Sequence, residues 1–108
     1  MPQTLGFGAI CRTNTLIKAP SSFNVDAEQV KARISKDVRC LLVTHAAGEP
    51  VDVPAIREAI NDDSMLILED CSQATGASIR GEKVGTWGEI AAFSTMYRKN
   101  LAAGASSG

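Results

Sequence analysis

Two short apolar runs constrain this sequence more than any other feature. Cys40-Leu41-Leu42-Val43-Thr44 and Met65-Leu66-Ile67-Leu68 are each of strand length, with almost no polar alternation. Runs of this kind suit strands covered on both faces, as in parallel sheets. The stretch between them reads as a helix. Asp52 can cap it, Pro54 suits its first turn, Ile56, Ala59 and Ile60 recur at helical spacing, and Asn61-Asp62-Asp63 ends it. An earlier helix starts at Asp26, with Gln29 as its capping-box partner. Val30, Ala32 and Ile34 give that helix a partly apolar face, and its end is expected near Ser35 or Lys36. The order helix, strand, helix, strand predicts an α/β unit with a right-handed crossover. Downstream, Ser78 to Gly85 reads as a small hairpin turning at Gly81, and Ile90-Ala91-Ala92-Phe93-Ser94 as a third strand. Leu5, Phe7, Ala9 and Ile10 could add a short strand near the start, while Leu101 to Gly108 is rich in small residues.

Composition narrows the function. A chain of 108 residues suits one small domain. Its formal net charge of -1 comes without any basic run, which argues against nucleic acid and anionic membranes as partners. No apolar stretch approaches the roughly 20 residues needed to span a bilayer. Met1 to Ile10 lacks a basic segment of the kind that opens a secretory signal. Cys11, Cys40 and Cys71 form no CxxC pair, and His45 is the sole histidine, so a structural zinc site is not expected. Three unclustered cysteines fit reduced thiols in a cytoplasmic protein.

Ligands of open α/β sheets gather at the carboxyl ends of the strands. Glu69 and Asp70 close the second apolar run and are candidates for such a site, although a strand end with two solvated carboxylates satisfies the same pattern. Beyond the third run come Ser94 and Lys99. A loop lysine is commonly just solvated. One that forms a Schiff base must be partly desolvated or close to another cation, so that its free amine is available. His45 reads as a strand-end histidine bonded to backbone, and Trp87 as a packing anchor.

The ordered set Glu69-Asp70-Cys71-Ser72-Gln73-Ala74-Thr75-Gly76-Ala77, Gly81, Val84-Gly85-Thr86-Trp87-Gly88, Phe93-Ser94 and Lys99-Asn100-Leu101 resembles the DegT/DnrJ/EryC1/StrS sugar aminotransferases. Phe23-Asn24-Val25-Asp26 and Val43-Thr44-His45 followed by Gly48 extend the likeness upstream. The resemblance implies an α/β fold, namely part of the three-layer α/β/α large domain of an aspartate-aminotransferase-like enzyme dependent on pyridoxal 5'-phosphate. Residues 1–108 would be a cofactor-binding portion truncated at both ends, without the relatives' phosphate-binding segment and C-terminal domain. By the same resemblance, Asp70 faces the pyridine nitrogen and keeps it protonated. Gln73 lies against the ring or reaches its phenolic oxygen, Ser94 donates to the phosphate, and Lys99 carries the aldehyde and then moves the proton. The implied reaction transfers an amino group from an amino-acid donor to a nucleotide-linked keto sugar, in a homodimer. The chain departs from the family at Thr75, where histidine is frequent, and at Thr95, where an aromatic is frequent. Lys99 sets it apart from the dehydratase branch, which has histidine there. Two other readings stay open: a non-catalytic α/β remnant, and a small α/β module that binds a phosphorylated ligand without chemistry.

Overall fold

A computed structural model describes residues 24–96 and Lys99. The possible strand at Leu5 to Ile10 and the small-residue segment Leu101 to Gly108 lie outside the described residues. The order is helix α1 (Ala27–Arg33), strand β1 (Cys40–Thr44), a 3-10 turn (Ala46–Gly48), helix α2 (Val53–Ile60), and strands β2 (Leu66–Asp70), β3 (Ser78–Ile79), β4 (Glu82–Lys83) and β5 (Ile90–Ala92).

Both helix starts follow their caps, although Gln29 does not close the expected capping box, its Oε1 having no partner among the described residues. The Asp26 carboxylate accepts from Gln29 N at 2.8 Å, and Asp52 Oδ1 accepts from Ala55 N at 3.0 Å. The second cap carries a further contact, because Asp52 Oδ2 also accepts from Arg80 at 3.1 Å. Asp52→Ala should therefore destabilise the fold by about 1 kcal/mol, nearly all of it from the lost cap, since the exposed ion pair contributes little. Chemical denaturation checks this, and a loss under a few tenths of a kcal/mol would refute it. Helix α1 ends earlier than its pattern suggests. Ile34 turns extended at ψ 135, and its side chain packs on the core instead of continuing the helix. Asn61 closes α2 in the left-handed conformation at φ 50.

The three longer strands form one parallel sheet in the order β1-β2-β5. Its register aligns Leu42, Leu68 and Ile90 in one row and Thr44, Asp70 and Ala92 in the last row. Helices α1 and α2 pack together, and Val30, Val53 and Ile56 meet Val43 and Ile67 in the core. The strand burial therefore alternates, contrary to the two-sided burial expected from their composition. Val43 and Ile67 are fully buried, whereas Leu42 and Ile90 are 58% and 60% exposed. Both helices lie on the same face, so the described residues supply two layers of the sandwich.

Strands β3 and β4 form the expected hairpin. Arg80 at φ 51 and Gly81 at φ 85 make its two-residue turn, with the positive φ pair that matches the twist of a hairpin. The hairpin folds Val84 onto Cys71 and Ala74 in a second small cluster. Among the described residues no helix is long and apolar enough to cross a membrane.

Candidate functional site

Asp70, Gln73 and Ser94 stand at or just past the carboxyl edge of the sheet. Asp70 is the last residue of β2 and is half-buried between Thr44 of β1 and Ala92 of β5. Its Oδ1 accepts from Ser72 N at 3.0 Å, which turns the chain sharply after the strand. That turn brings Gln73 beside the end of β1, where Gln73 Oε1 accepts from Ala47 N at 2.8 Å. Ser94 follows β5 by two residues and is half-buried, its Oγ accepting from Met96 N at 3.3 Å. Lys99 is half-buried, and its backbone N donates to Met96 O at 3.0 Å. Asp70 and Gln73 are thus tied to one corner of the edge, and Ser94 and Lys99 leave from the adjacent strand. Among the described residues no ion pair joins Asp70 to Lys99.

By sequence Glu69 and Asp70 form an acidic pair and His45 is a strand-end histidine bonded to backbone. The structure separates the two acids. Neighbours in a strand point to opposite faces, and Glu69 shares the covered face with Ile67. Glu69 is 1% exposed. Its Oε2 accepts from Gly85 N at 2.7 Å and from His45 Nε2 at 3.0 Å, and its Oε1 accepts from Trp87 N at 2.7 Å and from Gly88 N. Burial alone would raise its proton affinity, but the donated bonds from Gly85, Gly88, His45 and Trp87 outweigh burial and hold the carboxyl below its ordinary value. The histidine tautomer follows from its partners. Nδ1 accepts from Val51 N at 2.9 Å, so it carries no proton, and Nε2 is the donor to Glu69.

This arrangement requires glycine at two places. A Cβ on Gly88 would lie 2.5 Å from the Ile67 carbonyl oxygen, and one on Gly85, at φ 88, would lie 2.5 Å from the Phe93 ring. Without side chains these residues bring their amides against the buried carboxylate. Trp87, between them, packs on the core as expected of an anchor.

Cys71 sits beside the same network. Burial, with the charges of Glu69 and Asp70, pushes its thiol up to about 11, so it stays protonated and unreactive. His45, Glu69 and Cys71 offer ligand atoms within 4.8 Å of one another. Both histidine nitrogens and both carboxylate oxygens already hold hydrogen bonds, however, so the cluster serves as structural support for the edge.

The parallel sheet with its helices superposes on solved aminotransferases at TM-scores of 0.69 to 0.75. The fold is therefore that of part of the large domain of the pyridoxal-phosphate-dependent transferases of aspartate-aminotransferase type. Within that class the chain belongs to the DegT/DnrJ/EryC1/StrS aminotransferase family, whose profile matches residues 17–106. It is 31% identical over 83 residues to GDP-perosamine synthase of Vibrio cholerae, a match covering 77% of this chain and 23% of that protein. Among solved structures, the sugar aminotransferase CalS13 from Micromonospora echinospora superposes with a TM-score of 0.70 at 34% identity, covering 79% of this chain and 25% of that one. The E. coli GDP-4-keto-6-deoxy-D-mannose-3-dehydratase with bound hydrated pyridoxal phosphate superposes at 0.69 and 26% identity, covering 74% and 21%. The chain thus spans about a quarter or less of the length of these relatives.

Proposed function

We propose that this chain forms part of the cofactor-binding domain of a sugar aminotransferase. On this reading it takes an amino group from an amino-acid donor and delivers it to a nucleotide-linked keto sugar, within a cytoplasmic homodimer. The cofactor is pyridoxal phosphate. The observation that supports the reading is the shared carboxyl edge. Asp70 ends β2, and the segment carrying Ser94 and Lys99 leaves β5, the next strand in the sheet.

The residues at that edge fit the cofactor by type. Asp70 spends Oδ1 on Ser72 N, which leaves Oδ2 for a protonated ring nitrogen. Ser94 is a hydroxyl donor for a phosphate oxygen. Lys99 supplies a primary amine, which holds the cofactor and then carries a proton between neighbouring atoms of the substrate. When bound, the cofactor supplies an aldehyde and an electron-withdrawing ring. Glutamate or glutamine is the donor implied by the family, and GDP-linked sugars are named for two of the relatives above.

Reductive trapping tests the reading. The protein, expressed from its complete reading frame, is mixed with pyridoxal phosphate, its visible spectrum is recorded, and borohydride is added before peptide mapping. A visible band and a pyridoxyl group on Lys99 are the expected results. A label on Lys18, Lys31, Lys36 or Lys83 instead, or no band, overturns the assignment. Protection from unfolding by inorganic phosphate without a band would make the unit a ligand-binding module.

A further inference from the structure

The turn after β1 is held from two sides, and its Ala47 amide donates to Gln73. Asn24, 7% exposed, spans the turn: its Oδ1 accepts from Ala46 N at 2.9 Å, and its Nδ2 donates to Glu49 O at 2.7 Å. His45 Nδ1 secures the far end through Val51 N. Between these clamps the backbone lies in the left-handed region, at φ 56 for Ala47 and φ 82 for Gly48. A non-glycine residue there is uncommon and carries a conformational cost, so the clamps must hold Ala47 in place. The conformation leaves Ala47 N–H directed at Gln73 Oε1.

That single bond fixes the chemistry of the Gln73 amide. A backbone N–H can only donate, so the side chain must turn its oxygen toward Ala47 and present its NH2 on the other side. A glutamine without this anchor could offer either end to a ligand. With it, Gln73 is a donor, suited to an anionic oxygen such as the cofactor's phenolic oxygen. We propose that Asn24 is a positioning residue for the cofactor, acting through the turn at residues 46–49 on the orientation of Gln73. The proposal rests on the functional reading above.

The test uses the protein from its complete reading frame, loaded with pyridoxal phosphate, and reads the pH midpoint of its visible band. A donor to the phenolic oxygen stabilises the deprotonated form, so Gln73→Leu should raise the midpoint by roughly one unit. Asn24→Ala should raise it in the same direction. In the Gln73→Leu background it should add nothing, because the two residues act in series. The unloaded protein gives an independent readout: the Ala47 amide should lose hydrogen-exchange protection in both single variants. Should Asn24→Ala fail to fold, Asn24→Asp keeps the acceptor for Ala46 N and turns the donor to Glu49 O into an oxygen that repels it, which loosens the turn at that end, and the same dependence on Gln73 is expected. An Asn24 shift of equal size in both backgrounds, or none where Gln73→Leu shifts, overturns the proposal. Either result leaves Lys99 and its trapped label untouched. Failure of the trapping experiment instead removes the functional reading, and this proposal with it.

Discussion

Glu69→Gln is expected to destabilise the fold by about 2–6 kcal/mol, about 1–3 for each of two buried donors left without an acceptor. The reason is one of counting. Glu69 receives four hydrogen bonds, two on each oxygen, from donors that cannot become acceptors. Three of them are backbone amides. The fourth is His45 Nε2, which cannot exchange its proton for one on Nδ1 because Nδ1 already accepts from Val51 N. Glutamine keeps one oxygen and replaces the other with an NH2. Whichever way the amide turns, two donors then face a donor in a site closed to solvent. Denaturant titration against the exposed control Glu58→Gln measures the effect, and the control should stay within about 0.5 kcal/mol. Acid supplies a second check. The folded-state pKa of Glu69 is depressed. Its stabilising contribution is therefore fully present above the unfolded carboxylate value of roughly 4.3 and disappears as pH falls through the folded value. The stability gap between the parent and Glu69→Gln should close over that acid range. A gap under about 1 kcal/mol at neutral pH would refute the account.

The same residue marks where sequence reasoning reached its limit. Helix caps at Asp26 and Asp52, the two apolar strands and the Gly81 turn are local signals, and each formed as its chemistry dictates. The end of α1 and the sidedness of the sheet depend on tertiary contacts. Ile34 left its helix for the core, and α1 and α2 chose one face of the sheet, which no local pattern specifies. Glu69 was legible in part. Strand alternation requires one of two adjacent acids to share a face with Ile67, and a carboxylate on a covered face must find donors. The donors themselves lie on Gly85, Trp87 and Gly88, brought there by the hairpin, and the lone histidine fills the remaining position. The two glycines were visible as family motif positions, but their reasons, the Ile67 carbonyl against Gly88 and the positive φ of Gly85, appear only in the fold. For Asp70, Gln73, Ser94 and Lys99 the roles came from resemblance. The fold adds that Asp70 ends β2 and that Ser94 follows β5, the adjacent strand, by two residues.

Asp70→Asn is expected to lower kcat about 10³-fold, as removing one charge-stabilising group from an active site does, while leaving stability within about 1 kcal/mol. Asparagine keeps the size of the side chain, and its oxygen can still accept from Ser72 N, so the turn after β2 survives. On the proposed reading, what it loses is the negative charge that would keep the ring nitrogen protonated and the ring able to take electrons. Asp70→Ala should therefore be no more than about tenfold worse than Asp70→Asn, since charge and not shape carries the role. Glu69→Gln should show the opposite profile: activity falls with the folded fraction but is nearly retained per folded molecule. Steady-state kinetics normalised to the folded fraction by circular dichroism separate the two adjacent acids. If Asp70→Asn keeps activity within tenfold of the parent, its carboxylate does not face the ring, and the carboxyl edge of β2 is then a strand end without a catalytic charge.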